Sequence, residues 1–139
     1  MSTAATRAAE LHKFFQNPNK TVGGNPGAWE QTLLKNARNV STPLALRLVS
    51  QMGLGNETAT PVRVFENACG VGVVAPILQQ LLKPDVLGQS RIMCGDFSEQ
   101  AVGLVKGRVE REGWVNTKAE TVDAQVKNMG GDDFVAGWR

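Results

Sequence analysis

The sequence predicts an α/β fold, a partial doubly wound parallel sheet of three or four strands preceded by an N-terminal helical segment. Three observations carry this. Residues 62–82, VRVFENACGVGVVAPILQQLL, start apolar and β-branched, cross a small-residue turn and continue with apolar residues at helical spacing. That is the order of a βα unit. The same order recurs from residue 90, where SRIMCGDF precedes Ser98 and a helical stripe of Ala101, Val102, Leu104, Val105 and Val109. Before residue 60 there is only helical periodicity and loop chemistry. Alternating strands and helices imply parallel strands with right-handed crossovers. The chain therefore divides into an N-terminal helical segment over 1–60 and an incomplete α/β domain over 61–139.

Taken in order, residues 1–16 read as a helix through Ala4, Ala5, Ala8, Leu11 and Phe15. NPNKTVGGNPGA, residues 17–28, is a loop by its prolines, glycines and asparagines. A helix follows over 29–40 with Leu33, Leu34 and Ala37 on its apolar stripe. Ser41 or Thr42 then serves as an N-cap, Pro43 takes the first helical position, and the next helix runs to Gly53-Leu54-Gly55. Residues 55–61 are a polar linker. A strand is expected over 62–66, a helix over 73–82, a loop over 83–88 and a second strand over 90–97. The helix capped by Ser98 closes at Glu112-Gly113-Trp114. A third strand is expected over 117–124, a loop over 125–132 and the start of a fourth strand over 133–139. Three or four strands are about half of a doubly wound sheet, so the chain reads as a truncated or fragment form, or as one whose sheet is covered by a second copy or a partner chain.

Composition narrows the function classes. The 139 residues are 42% hydrophobic and 20% charged, the profile of a globular domain. A net charge of +2, from 15 basic and 13 acidic residues, argues against a nucleic-acid or anionic-membrane partner. No apolar run approaches the roughly 18 residues of a membrane helix. The N-terminus lacks the apolar core of a secretory signal, and a cytoplasmic protein is expected. Cys69 and Cys94 read as buried, reduced thiols. With His12 as the single histidine and no Cys-x-x-Cys pair, no metal site is expected.

The turn Ala68-Cys69-Gly70-Val71-Gly72 is the candidate site. Its glycines allow close backbone approach, and the helix that follows is expected to offer free N–H groups. Gly70-x-Gly72-x-x-Ala75 satisfies a loose dinucleotide pattern, and Asp96 follows 24 positions after Gly72 at the next strand end, where a carboxylate accepts from ribose hydroxyls. These features suit any ribose-bearing ligand. Glu66 discriminates, because a carboxylate before the glycines opposes a pyrophosphate and favours an ammonium.

VFENACGVG resembles the first motif of the class I, Rossmann-like S-adenosylmethionine-dependent methyltransferases, an acidic residue followed by spaced glycines. Glu66, Gly70 and Gly72 match, and Ala68 stands where the pattern has its first glycine. CGDFSEQAVGLVKGRV and VDAQ are similar to the family's second and third segments. The resemblance covers about residues 62–124, and its nearest likeness is to fungal small-molecule methyltransferases with a helical N-terminal lid. It implies that S-adenosyl-L-methionine is the cofactor and a small molecule the methyl acceptor. Glu66 and the backbone of Ala68, Gly70 and Gly72 would hold the methionine part, Asp96 the ribose, Phe97 the adenine face, and Asp123 and Ala124 the adenine edge. No catalytic residue is assigned.

Other readings stay open on the residues alone. Glu66 also fits a solvated strand-end charge, and Asp96 and Asp123 fit caps or turns. Trp29, Trp114 and Trp138 read as packing residues, and His12, Asn25 and Trp29 as lid positions explained equally by loop and helix chemistry. The alternatives in function are a catalytically inactive methyltransferase-like binding protein and an NAD(P)-binding Rossmann oxidoreductase. The absence of tyrosine argues against a tyrosine-based proton relay in the latter.

Overall fold

The computed structural model describes residues 28–124 together with Thr6. In chain order the elements are α1 (Ala28–Asn36), a π-helical turn (Ala37–Ser41), α2 (Thr42–Gln51), β1 (Arg63–Asn67), α3 (Val74–Leu81), α4 (Pro84–Gln89), β2 (Arg91–Asp96), α5 (Glu99–Glu112) and β3 (Thr117–Thr121). Apart from Thr6, the helix expected over 1–16 lies outside the described residues, as do the strand over 133–139, His12, Asn25 and Trp138.

The three strands form one parallel sheet in the order β1-β2-β3. Register places Glu66 beside Cys94, Asn67 beside Gly95, and Asp96 beside Thr121. Because side chains alternate along a strand, Ile92, Cys94 and Ala119 share one face. These three join Val49, Leu78, Val102 and Val105 in the core, so α2, α3 and α5 cover that face. The other face carries Phe65, Met93 and Gly95 between exposed Arg63, Arg91, Lys118 and Glu120. Ala45 and Val49 tie α2 into the same core as the sheet, and α2 packs on α3.

Two expectations about helices are corrected. The break at Ser41 does not occur. Ser41 is helical (φ −74°, ψ −38°) with no side-chain cap, and the Thr42 N–H donates to the Ala37 carbonyl. Pro43 explains this. It lacks an N–H, and its ring collides with the carbonyl four residues back in an α-helix, which a widened π turn accommodates. The expected loop over 83–88 contains α4. Lys83 is extended (φ −60°, ψ 146°), Pro84 opens the helix, and Val86 and Leu87 are buried. A proline at the first helical position gives the same local signal as a proline in a turn.

Other boundaries follow their local chemistry. Ser98 caps α5, its Oγ accepting from the Ala101 N–H at 3.2 Å, and Gly113 ends it in the left-handed region (φ 65°). β3 ends at Thr121, short of the expected 124, so Asp123 and Ala124 lie beyond the strand and are exposed. No helix among the described residues is long and apolar enough to cross a membrane.

Candidate functional site

The carboxyl ends of β1 and β2 open onto a cavity of about 1000 Å³. One side is the turn, with Glu66, Ala68, Cys69, Gly70 and Val71, followed by Asp96, Phe97 and Ser98. The other side is the α1–α2 segment, which presents Leu33, Leu44 and Leu48 together with Thr32, Asn36 and Ser41. The site therefore has a carboxylate-bearing side and a mostly apolar side.

Glu66 stands at the end of β1 and reaches the start of α3. Its Oε1 accepts from the N–H groups of Val73 (2.9 Å) and Val74 (3.0 Å), and its Oε2 from Ala75 (3.2 Å). The next residue, Pro76, has no N–H. All the donors that an α-helix leaves unpaired at its first turn are thus accounted for. The expectation that α3 offers free N–H groups to a ligand is corrected on this point. The negative charge at a helix N-terminus is itself favourable.

Asp96 is 7% exposed. Its Oδ2 accepts from the Gly70 N–H and its Oδ1 from the Ser98 N–H, both at 2.9 Å. A carboxylate offers about four lone-pair directions, so each oxygen keeps one beyond these bonds, and Asp96 lines the cavity. The turn is tied to β2 again where the Cys69 N–H donates to the Gly95 carbonyl at 2.9 Å. It closes on itself where the Gly72 N–H donates to the Cys69 carbonyl at 2.8 Å.

Ala68, Gly70 and Gly72 all take positive φ (54°, 53° and 74°). A Cβ on Gly70 would meet nothing within 4 Å, whereas one on Gly72 would lie 3.3 Å from Val105 and 3.4 Å from Trp114. Gly70 thus faces the cavity, while Gly72 is packed on the reverse side and lines a separate cavity of about 280 Å³. Of the sequence-derived candidates, the structure brings Glu66, Ala68, Gly70, Asp96 and Phe97 together around the large cavity. Asp123 and Ala124 do not line it. They follow Val122, whose N–H donates to the Asp96 carbonyl at 2.8 Å, at the same carboxyl edge of the sheet.

Cys94, beside Glu66, donates its thiol to Oε2 at 3.7 Å. Hydrogen bonding with the Cys69 side chain, then burial, then the Glu66 charge hold this thiol far above the ordinary thiol range. Cys69 and Cys94 are both buried and free.

Sequence reasoning passed over Arg108. Its Nη1 donates to the carbonyls of Val71 (2.7 Å) and Gly72 (2.8 Å), from a helix 36 residues further along the chain. A lone arginine on an amphipathic helix carries no local signal of such a contact. Gly95 was passed over too. Its missing side chain makes room for the Phe65 ring, which would lie 2.6 Å from an added Cβ.

No family model matches the chain. Among characterised proteins it is similar to the acetylaranotin bis-thiomethyltransferase of Aspergillus terreus, 35% identical over 100 residues that make up 72% of this chain and 36% of the relative. Methyltransferase tpcH of Aspergillus fumigatus is 32% identical over 68% of this chain and 34% of its own length. Methyltransferase ktnA of Aspergillus niger is 32% identical over 72% and 33%. The chain thus spans about a third of the length of the relatives it matches. Among solved structures, the magnesium protoporphyrin IX methyltransferase of Synechocystis, crystallised with bound SAH, aligns over 88% of this chain and 49% of its own, with a TM-score of 0.46 and 15% identity. Over the part it spans, the chain is a homologue of these fungal methyltransferases, built on a partial Rossmann-like α/β fold.

Proposed function

We propose that the chain forms the cofactor-binding part of an S-adenosyl-L-methionine-dependent methyltransferase that acts on a small-molecule acceptor. One observation carries the choice of cofactor. The start of α3, where a dinucleotide's pyrophosphate would lie, is already occupied by the Glu66 carboxylate. A phosphate brought there would find no free N–H and a like charge. A ligand with an ammonium and a sulfonium, and no phosphate, finds that charge attractive.

The remaining residues fit the same ligand. Glu66 acts through its charge and by setting the turn, since donors of the chain already fill its hydrogen-bonding directions. Asp96, held by Gly70 and Ser98 with lone pairs to spare, suits ribose hydroxyls. Half-buried Phe97 suits an adenine face. Asp123 and Ala124, at the same edge, are assigned to the adenine edge on the resemblance. When bound, the cofactor supplies an electrophilic methyl group. The chain's task is to orient that group and exclude water. The side formed by Leu33, Leu44 and Leu48 suits an apolar acceptor. The buried, free thiols suit a reducing compartment such as the cytoplasm.

Calorimetry with S-adenosylhomocysteine and with NAD, on wild type, Asp96→Asn and Asp96→Ala, tests this reading. S-Adenosylhomocysteine is expected to bind, the Asp96 variants to weaken it about tenfold or more, and NAD to give no heat. Binding of NAD, or unchanged affinity in variants that still melt cooperatively, would overturn it.

A further inference from the structure

The geometry points to Arg108 as a positioning residue that holds the glycine turn in its ligand-ready shape, an inference that rests on the cofactor reading above. The turn donates through its Cys69, Gly70 and Gly72 N–H groups, to the Gly95 carbonyl, the Asp96 carboxylate and the Cys69 carbonyl in that order. Its carbonyls at Val71 and Gly72 point the other way, and Arg108 Nη1 donates to both. The rest of the guanidinium is engaged in turn. Nε and Nη2 donate to the two carboxylate oxygens of Glu112 at 2.7 and 3.1 Å. Trp114 Nε1 donates to the same carboxylate at 3.1 Å, and its ring lies 4.7 Å from the guanidinium carbon.

This arrangement uses the planar fork of arginine on two edges and its face at once. A lysine ammonium has no equivalent geometry. The Arg108 side chain is only 12% exposed, so the bonds to the turn form away from bulk water, where charge-assisted hydrogen bonds are strongest. Arg108 lines the small cavity behind Gly72 and is absent from the lining of the large one. It therefore works through the backbone: with the Val71 and Gly72 carbonyls fixed outward, Gly70 stays turned toward the ligand side with its N–H on Asp96.

The test compares Arg108→Ala, Arg108→Lys and a control, Val109→Ala, which thins the core packing of the same helix without touching the turn. Amide hydrogen exchange in the free protein, S-adenosylhomocysteine affinity by calorimetry and melting temperature are read together. Both Arg108 variants are expected to speed exchange at Gly70, Gly72 and Val73 and to weaken binding about tenfold. Val109→Ala is expected to lower the melting temperature and leave both local readouts unchanged. Arg108→Lys keeps the stem and the charge, so it remains informative if Arg108→Ala does not fold. Turn exchange or affinity in the Arg108 variants that matches Val109→Ala would overturn the assignment. If the wild type binds no S-adenosylhomocysteine, the cofactor reading falls, and the exchange comparison, which needs no ligand, still decides the clamp.

Discussion

Single backbone positions around the turn make opposite demands. Ala68 holds a left-handed conformation that costs a residue with a Cβ about 1–2 kcal/mol, partly offset because alanine loses less chain entropy on folding than glycine. Ala68→Gly is expected to stabilise the protein, by up to about 1 kcal/mol in urea unfolding. Gly95 has an ordinary φ, but a methyl there meets the Phe65 ring at 2.6 Å. Gly95→Ala is expected to destabilise by about 1–3 kcal/mol in the same titration. The two glycine-related positions look alike in the sequence. Ala68 is legible there as a departure from a motif. The constraint at Gly95 is not legible, because it comes from a ring on a neighbouring strand.

Elements were legible where one face of a segment is apolar and the ends carry recognisable caps. The strands opening at Arg63, Arg91 and Thr117 and the Ser98-capped α5 lie where alternation and cap chemistry put them, within a few residues. The misread elements are governed by proline. Pro43 and Pro84 are both compatible with a helix start, and only the packing around them separates a new helix, a π turn and a loop. At the end of α5, Arg108, Glu112 and Trp114 form one unit that also reaches the turn. Hydrogen bonding with Arg108 chiefly holds the Glu112 carboxyl below its ordinary value of 4.5. The stabilisation is then complete above about pH 4.5 and fades as pH falls through the lower folded value. Because Glu112 is 42% exposed, its size is that of a screened pair, about 0.2–1 kcal/mol. Thermal melts of wild type and Glu112→Gln should differ by this amount at pH 7 and converge in acid, once the folded carboxyl is protonated as well.

On the scale of the whole molecule, α2, α3, α5 and three strands share one core, and the two thiols sit inside it. Neither is presented to solvent, and Cys94 is far from ionising under ordinary conditions. Alkylation by iodoacetamide needs a thiolate and access, so both cysteines are expected to label only through opening of the core. Labelling monitored by mass spectrometry should be slow in buffer and should accelerate in step with unfolding as urea is added. Rapid labelling of Cys69 in buffer would show that the turn opens independently of the sheet. The residues that line the large cavity were legible as residue types at strand ends. The division of the turn into a cavity side and a packed side was not, because that depends on which way each turn peptide points.

The sheet's order, β1-β2-β3, repeats the order of synthesis. The contacts that shape the turn come from within one segment. Glu66 caps α3, Gly95 and Asp96 at the end of β2 receive the Cys69 and Gly70 amides, and Arg108 closes from α5. Nothing in the turn itself waits for β3. These contacts span 7 to 37 residues of chain, so every group that shapes the turn is present in a nascent chain once α5 has emerged, before the edge bearing Asp123 is in place.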